Sequence, residues 1–308
     1  MSDAAAIDAA AAHLEGLADR DVPIGPLTTY RVGGRARLFV RASDEGDLVR
    51  VRDAVAASGV DVLVIGKGSN LLVADRGFPG LVVALGEAFA EMEILDGARV
   101  RAGGAVSLPV LARRTAAAAL TGFEWAVGVP GSVGGAVRMN AGGHGSETRE
   151  ALVSVRVIDL AGGRDGEIPA RDLDLGYRHS NVSSSEVVVW ADLQLAPGDR
   201  AQSERTISEI VRWRREHQPG GQNAGSIFTN PPGDSAGRLI DAAGLKGFAK
   251  GSAHVSPKHA NFFQAQEGGS ADDVRALILE VRRRVAEATG VDLVPELRMV
   301  GFDEGETG

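Results

Sequence analysis

Gly128-Val129-Pro130-Gly131-Ser132-Val133-Gly134-Gly135-Ala136-Val137-Arg138-Met139-Asn140-Ala141-Gly142-Gly143 is the stretch on which the reading of the fold turns. Seven glycines fall between Gly128 and Gly145, in a chain that has 41 among 308 residues. A packed chain keeps glycine where the backbone turns through positive φ or approaches another group closely. Backbone N–H groups bared by such a loop make an anion cradle, more so where a helix starts behind it, as Val133 to Met139 is expected to do. The expected guest is a pyrophosphate. A flexible connection is the plain alternative, but Pro130 and the apolar Val129, Val133, Val137 and Met139 argue for a fixed shape rather than a tether.

A second glycine-bearing turn lies about sixty residues earlier, where the apolar run Val62 to Ile65 ends in Gly66-Lys67-Gly68-Ser69-Asn70-Leu71-Leu72-Val73. It fails both common nucleotide fingerprints. Leu71 stands where the dinucleotide motif needs its third glycine, and no glycine precedes Gly66-Lys67 at the P-loop spacing. Ser69 and Asn70 could donate to phosphate oxygens; a turn that merely closes a hairpin is the alternative.

The rest of the chain reads as a mixed α and β succession. Met1 to Arg20 suggests a modest amphipathic helix, Pro23 to Pro26 breaks the pattern, and Ala36 to Val40 alternates as a strand. Leu48, Val51 and Val55 lie at helical spacing and, with Val62 to Ile65, complete a strand–helix–strand unit. Short strands are expected from Leu81 to Ala102 around the Asp96-Gly97 turn, then a helix from Ser107 to about Leu120. Leu152 to Leu160 and Glu167-Ile168 flank Gly162-Gly163 as a hairpin, and Val187 to Leu195 is a strand. Helices are expected at Ala201 to Glu216, with Arg212, Arg214 and Arg215 crowding its last turn, and at Ala271 to Ala288, where the Arg282 to Arg284 run reads as a solvated face.

Composition narrows the function. Apolar residues make up 44% and charged residues 24%, an ordinary globular balance. Without a single Cys, disulfides, thiolate metal sites and a flavin-linking thiol are excluded. The six His show no zinc-protease spacing, so no metal site is expected. No apolar run approaches the ~18 residues of a membrane span, and the start of the chain lacks signal-peptide character, so a cytoplasmic protein is expected. A formal charge of -8 and a pI near 5.4 disfavour nucleic acid as a main partner.

Two glycine loops at strand exits without a Rossmann signature resemble the phosphate-binding loops of vanillyl-alcohol-oxidase-type flavoproteins. Ordered motifs then narrow the resemblance to one family. They are Thr28-Thr29-Tyr30-Arg31-Val32-Gly33-Gly34; Val64 to Val73; Gly128 to Asn140; Tyr177-Arg178-His179-Ser180; Gln218-Pro219; Ala224-Gly225-Ser226-Ile227-Phe228-Thr229-Asn230-Pro231; Ala243-Gly244-Leu245-Lys246-Gly247; Lys258-His259-Ala260-Asn261-Phe262; and Pro295-Glu296-Leu297-Arg298. The chain resembles the UDP-N-acetylenolpyruvoylglucosamine reductases, and within them the shorter class that lacks a tyrosine-bearing substrate loop. Only the turn Ser180 to Ser185 follows Tyr177-Arg178. One departure is Ala265, where family members often place asparagine.

The resemblance implies an α+β chain with an FAD-binding fold of the vanillyl-alcohol-oxidase (PCMH) type in two subdomains plus a C-terminal α+β substrate domain. Residues 1–84 would form the first subdomain, rejoined by 296–308, residues 85–200 the second, and residues 201–295 the substrate domain. It implies noncovalent FAD, NADPH as cosubstrate and UDP-N-acetylglucosamine enolpyruvate as substrate, in peptidoglycan synthesis, with no obligatory protein partner. Ser226 is implied as proton donor, with Arg178 and Glu296 stabilising an enolate-like intermediate. The implied cofactor contacts are Tyr30, Arg31, Gly66, Lys67, Gly68, Ser69, Asn70, Leu71, Gly128, Val129, Pro130, Gly131, Ser132, Gly134, Gly135, Asn140 and Arg298. Asn230, Arg214 and Gln218 are implied to face substrate or the nicotinamide nucleotide.

Residue chemistry agrees with these roles. A guanidinium pairs with a carboxylate in two-pronged geometry and favours it as its charge grows. A serine hydroxyl is a feeble acid, yet a carbanion beside an ether oxygen is a very strong base, so positioning matters more than a matched pKa. A strand over Pro295 to Val300 would put Glu296 and Arg298 on one face, and an extended Ser226 segment would align Ser226, Phe228 and Asn230. Two other readings compete: an oxidase or dehydrogenase of the same fold acting on an alcohol or sugar, and a noncatalytic FAD- or nucleotide-sensing protein.

Overall fold

The computed structural model describes residues 3–302. The ends of the expected N-terminal helix and of the returning C-terminal segment, residues 1–2 and 303–308, lie outside the described residues. The chain divides into two compact units. One takes the chain up to Asp21, Arg37–Lys67 and Pro79–Arg214; the other takes Val22–Ala36, Gly68–Phe78 and the chain from Arg215 onward.

In the first unit, helix α1 (Asp3–His13) stops well short of Arg20. Leu14 to Leu17 turns the chain, with Gly16 at φ 76°, and Ala18–Pro23 becomes a strand at the edge of a four-stranded sheet. Its Asp19, Arg20, Asp21 and Pro23 give no alternation, but charge and proline are what an unpaired sheet edge tolerates. The sheet order is Ala18–Pro23, Arg35–Ala42, Phe78–Leu85, Val62–Ile65. Helix α2 (Glu45–Ser58) connects two of these strands; Asp44 accepts the Asp47 N–H at 2.9 Å at its start, and Gly59 ends it at φ 67°. Its Leu48, Val51, Ala54 and Val55 are buried with Leu38, Val40, Leu81 and Val83.

A five-stranded antiparallel sheet follows in the order Asp165–Pro169, Leu152–Asp159, Glu186–Gln194, Arg99–Gly103, Met92–Leu95. Helices α3 (Leu108–Ala117), α4 (Val133–Met139) and α5 (Arg200–His217) share its core through Leu108, Leu111, Val133, Val137, Ile207 and Ile210. The expected hairpin around Gly162-Gly163 is present, with Val155 opposite Ile168.

The second unit is built on helices α6 (Ala236–Ala242) and α7 (Ala271–Thr289) and a three-stranded sheet of Ala249–Lys250, Ala253–Val255 and Phe263–Ala265. The α7 stripe of Val274, Leu277, Ile278, Val281 and Val285 is fully buried, as its spacing predicts. Its arginine run is less free than a solvated face. Arg282 pairs with Asp292, Arg283 with Glu280 and Glu287, and Arg284 lies 4.3 Å above the Phe248 ring. The final strand covers only Arg298–Val300, in parallel with Leu71–Val73; just before it Leu297 is buried between a half-buried Glu296 and an exposed Arg298.

Candidate active site

The glycine-rich stretch forms a rigid cradle, but its donors are not those a helix start would present. The first turn of α4 is satisfied within the protein: Val133 N–H donates to Val106 O, Gly134 N–H to Gly104 O and Gly135 N–H to Ser132 Oγ. Just before it, Gly131 and Ser132 are buried, and neither backbone N–H has an acceptor among the described residues. The same holds for the consecutive N–H groups of Gly66, Lys67, Gly68, Ser69 and Asn70. Gly66 and Ser132 meet in the first unit, where a Cβ on Gly66 would lie 2.6 Å from Ser132 Oγ. Gly68, at φ 60°, packs against the Leu27 carbonyl and leaves no space for a side chain. Buried unsatisfied N–H groups are costly unless a ligand accepts them. Of these residues Gly68, Gly131 and Ser132 are buried and Gly66 and Lys67 are exposed, and consecutive N–H groups of this kind are the donors a phosphate-type anion takes.

Around this frame, Val129 N–H donates to Ala126 O at 3.0 Å, and Pro130 is exposed. Gly128 lies against the His144 ring, which stands edge-on to Trp213 with centroids 5.2 Å apart, beside Arg214. Burial, then the Arg214 charge, holds the His144 pKa below its ordinary value. Asn140 differs from its implied role. It is fully buried in the left-handed conformation, its Nδ2 donating to Gly176 O at 2.8 Å and its Oδ1 accepting Arg149 N–H at 2.9 Å. One donor and one acceptor of its amide are thus engaged within the protein, the donor on the turn preceding Arg178. That turn is fixed twice more: Arg178, at φ 53°, donates from Nη2 to Gly142 O at 2.9 Å, and Ser180 Oγ donates to Arg138 O at 2.7 Å.

In the second unit the structure brings Ser226 and Glu296 onto adjacent segments. Glu296 N–H donates to Ile227 O at 2.7 Å, and Pro295 bridges Phe228. Ser226 is half-buried, and its hydroxyl has no hydrogen-bond partner among the described residues. Phe228 is buried, whereas Asn230 is exposed and its Oδ1 accepts the Ala236 N–H at 3.1 Å before α6, so the three do not form one uniform face. Asn70 turns inward, donating from Nδ2 to Glu296 O at 3.1 Å rather than presenting its side chain to phosphate. Leu71 enters the strand that pairs with Arg298, whose N–H donates to Asn70 O at 3.2 Å; the Arg298 side chain is exposed.

Tyr30 is a core strut. It is fully buried, its hydroxyl donates to Phe263 O at 3.1 Å, and burial drives its pKa far upward. Only its backbone is left to approach a cofactor. Arg31 beside it is exposed at φ 55°, Lys67 is exposed, Ser69 is half-buried, and Gln218 is half-buried just past α5. Ala265 is buried in a strand, where its N–H donates to Gln222 O at 3.0 Å. Sequence reasoning missed two residues: Asn261, whose amide brackets Phe228, and His144, against Gly128. A polar residue between two buried apolar neighbours, as in Ala260-Asn261-Phe262, is the signal that could have marked the first.

A model of an FAD-binding domain matches residues 36–165, the span that holds both glycine loops, so the protein is a flavoprotein by class. A second model, the C-terminal domain of UDP-N-acetylenolpyruvoylglucosamine reductase, matches residues 217–300, the span of Ser226, Asn261 and Glu296. The chain is 44% identical over 287 residues to the UDP-N-acetylenolpyruvoylglucosamine reductase of Heliobacterium modesticaldum, covering 92% of this chain and 91% of that one. It is also 44% identical to the enzyme of that name from Acidiphilium cryptum, over 96% of this chain and 94% of that one. The crystal structure of the UDP-N-acetylenolpyruvylglucosamine reductase of Thermus caldophilus superposes with a TM-score of 0.79 at 35% identity, covering 91% of this chain and 98% of that one. The chain belongs to the UDP-N-acetylenolpyruvoylglucosamine reductase family.

Proposed function

We propose that the protein reduces the enolpyruvyl ether of UDP-N-acetylglucosamine enolpyruvate to the lactyl ether of UDP-N-acetylmuramate in peptidoglycan synthesis, with NADPH as the electron source. Noncovalently bound FAD supplies the hydride to the terminal vinyl carbon. The chain then has two tasks: to hold the substrate carboxylate as charge builds on it, and to deliver one proton to the carbon beside the ether oxygen.

Arg178 performs the first task. Gly142 O accepts from its guanidinium Nη2, and Asn140 and Arg138 O tie the flanking turn, so little reorganisation is needed as the enolate charge grows. Ser226 performs the second, with Glu296 on the neighbouring segment stabilising the same charge. The observation that carries this reading is an Oγ of Ser226 without a partner among the described residues, on a backbone tied along both edges. A hydroxyl engaged in a loop cap would not be free to give its proton.

The remaining assignments follow from the same reading. The pyrophosphate lies on Gly66 to Leu71 and Gly128 to Gly135, and the substrate domain is 201–295, rejoined to the flavin-binding part by 296–308. Arg214, Gln218 and the Nδ2 of Asn230 contact substrate or the nicotinamide nucleotide. The small-molecule substrate and the lack, among the described residues, of any helix long and apolar enough to cross a membrane fit a cytoplasmic enzyme. The test is an anaerobic pair of half-reactions: bleach the bound flavin with NADPH, then add the enolpyruvyl sugar nucleotide. Recovery of the oxidised flavin band with UDP-N-acetylmuramate formed is expected, and Ser226→Ala should slow recovery at least about 100-fold without slowing bleaching. Bleaching without recovery sinks the substrate assignment.

A further inference from the structure

Asn261 is 3% exposed and uses its side chain as a strand would use its backbone. Its Oδ1 accepts Phe228 N–H at 3.0 Å, its Nδ2 donates to Phe228 O at 2.8 Å, and its own carbonyl accepts Ile227 N–H at 2.9 Å. The opposite edge of the same segment is held by Glu296 N–H on Ile227 O at 2.7 Å and by Thr229 N–H on Val294 O at 2.9 Å. The segment starting at Ser226 is therefore clamped on two sides, and on one side both bonds to Phe228 come from a single side-chain amide. The Asn261 backbone is also held: His259 Nδ1 accepts its N–H at 3.3 Å, and burial lowers the pKa of that ring.

We propose that Asn261 is a positioning residue for proton delivery: its two-way amide clamp on Phe228 fixes the backbone that aims the Ser226 hydroxyl. The inference rests on the reading of Ser226 as the proton donor. Proton delivery to carbon is sensitive to placement, and a displacement on the order of 1 Å can cost about 100-fold in rate. Hydride uptake from NADPH does not use Ser226, so the clamp should matter in one half-reaction only.

The substitution Asn261→Asp separates a clamp from simple packing. When ionised, the introduced carboxylate can accept from Phe228 N–H but sets a second acceptor against Phe228 O; when protonated, it can donate there and restore both bonds. Burial raises such a carboxyl's pKa, so the restored form gains population as pH falls. His259 on the Asn261 N–H, Lys246 near His259, and Glu296 on the opposite edge also titrate or carry charge in the parent enzyme, so each rate is taken as a ratio to the parent at the same pH.

The experiment uses flavin-loaded Asn261→Asp and Asn261→Ser in anaerobic stopped flow, each half-reaction separately. Expected are reduction by NADPH within about twofold of the parent and reoxidation by the enolpyruvyl sugar nucleotide slowed about tenfold or more at pH 8. The Asn261→Asp ratio should recover towards pH 6 while Asn261→Ser does not, and Asn261→Asp should add no further slowing to Ser226→Ala. Equal slowing of both half-reactions, full additivity with Ser226→Ala, or loss of flavin from both variants overturns the proposal and makes Asn261 a scaffold residue. A Ser226→Ala enzyme that reoxidises at the parent rate sinks the Ser226 reading itself, whatever the Asn261 variants do.

Discussion

The Asn140 side chain donates to the Gly176 carbonyl at 2.8 Å, so the residue that caps the glycine-rich helix α4 is wired to the turn presenting Arg178. Its oxygen accepts the Arg149 N–H at 2.9 Å, and its φ of 39° suits Asn better than Ala. Asn140→Ala should cost about 2–4 kcal/mol in urea unfolding, from two lost buried hydrogen bonds and the left-handed backbone. Asn140→Gly loses the same two hydrogen bonds but escapes the backbone part of that cost. If Asn140→Gly reoxidises as fast as the parent, the amide does not hold Arg178 in place.

Gly66 and Ser132 make a paired prediction. A Cβ at Gly66 would lie 2.6 Å from Ser132 Oγ, which is buried and caps the Gly135 N–H. Gly66→Ala should weaken FAD binding about tenfold or more, an effect of at least ~1.4 kcal/mol. Ser132→Ala removes the clashing oxygen at a cost of about 1 kcal/mol for the cap. The double variant should bind FAD better than Gly66→Ala alone, as fluorescence titration of the apoprotein would show; strict additivity would refute the clash.

Acid sensitivity should begin at the histidines. Burial, then the Lys246 charge, lowers the His259 pKa, and burial, then Arg214, lowers that of His144. With the folded value below the ordinary one near 6.5, the unfolded chain takes up protons first as pH falls. Stability from this source is therefore complete above that value and lost as pH drops below it. His259→Gln should flatten the fall in Tm between pH 7 and 5, and His144→Gln should flatten it independently. An unchanged slope in both would locate the acid sensitivity elsewhere.

Asp75 caps α7 from a distant part of the chain. Its carboxylate accepts the Ala271 N–H at 3.0 Å and the Asp272 N–H at 3.2 Å, besides the Ser270 hydroxyl. Asp75→Ala should cost about 1–2 kcal/mol in chemical denaturation, and Asp75→Asn, which keeps one acceptor, clearly less. Equal losses would mean that charge rather than hydrogen bonding sets the effect.

The parts of the fold that were readable are those where burial is periodic. Leu48, Val51 and Val55, or Val274, Leu277, Ile278, Val281 and Val285, repeat at helical spacing because one face of each helix is buried. Ala18–Pro23 is a strand with no such signal, since an edge carries charge and proline instead of alternation. Glu296 lies outside the short strand Arg298–Val300, although burial alternates from it through Leu297 to Arg298. The glycine loops were legible as loops, but which N–H groups stay bare depends on the partners Val106 O and Gly104 O, nearly thirty residues upstream. Asn140, Asn70 and Asn261 show the same limit: each looks like a polar contact for a ligand or solvent, and each replaces a missing backbone partner inside the protein.

The pairing of Arg298–Val300 with Leu71–Val73 joins strands 227 positions apart, counting from 71 to 298. During translation the first unit has all its segments once Arg214 has left the ribosome, whereas the second still lacks most of its chain. At about 5–20 residues per second, Leu71–Val73 wait roughly 10–45 s for their partner. For that interval a short apolar strand edge is available to other chains, and the growing protein owns flavin-binding segments before it owns an acid. Expression yield should therefore depend on the pace of elongation through the last hundred codons and on chaperone supply, even for variants whose finished fold is as stable as the parent.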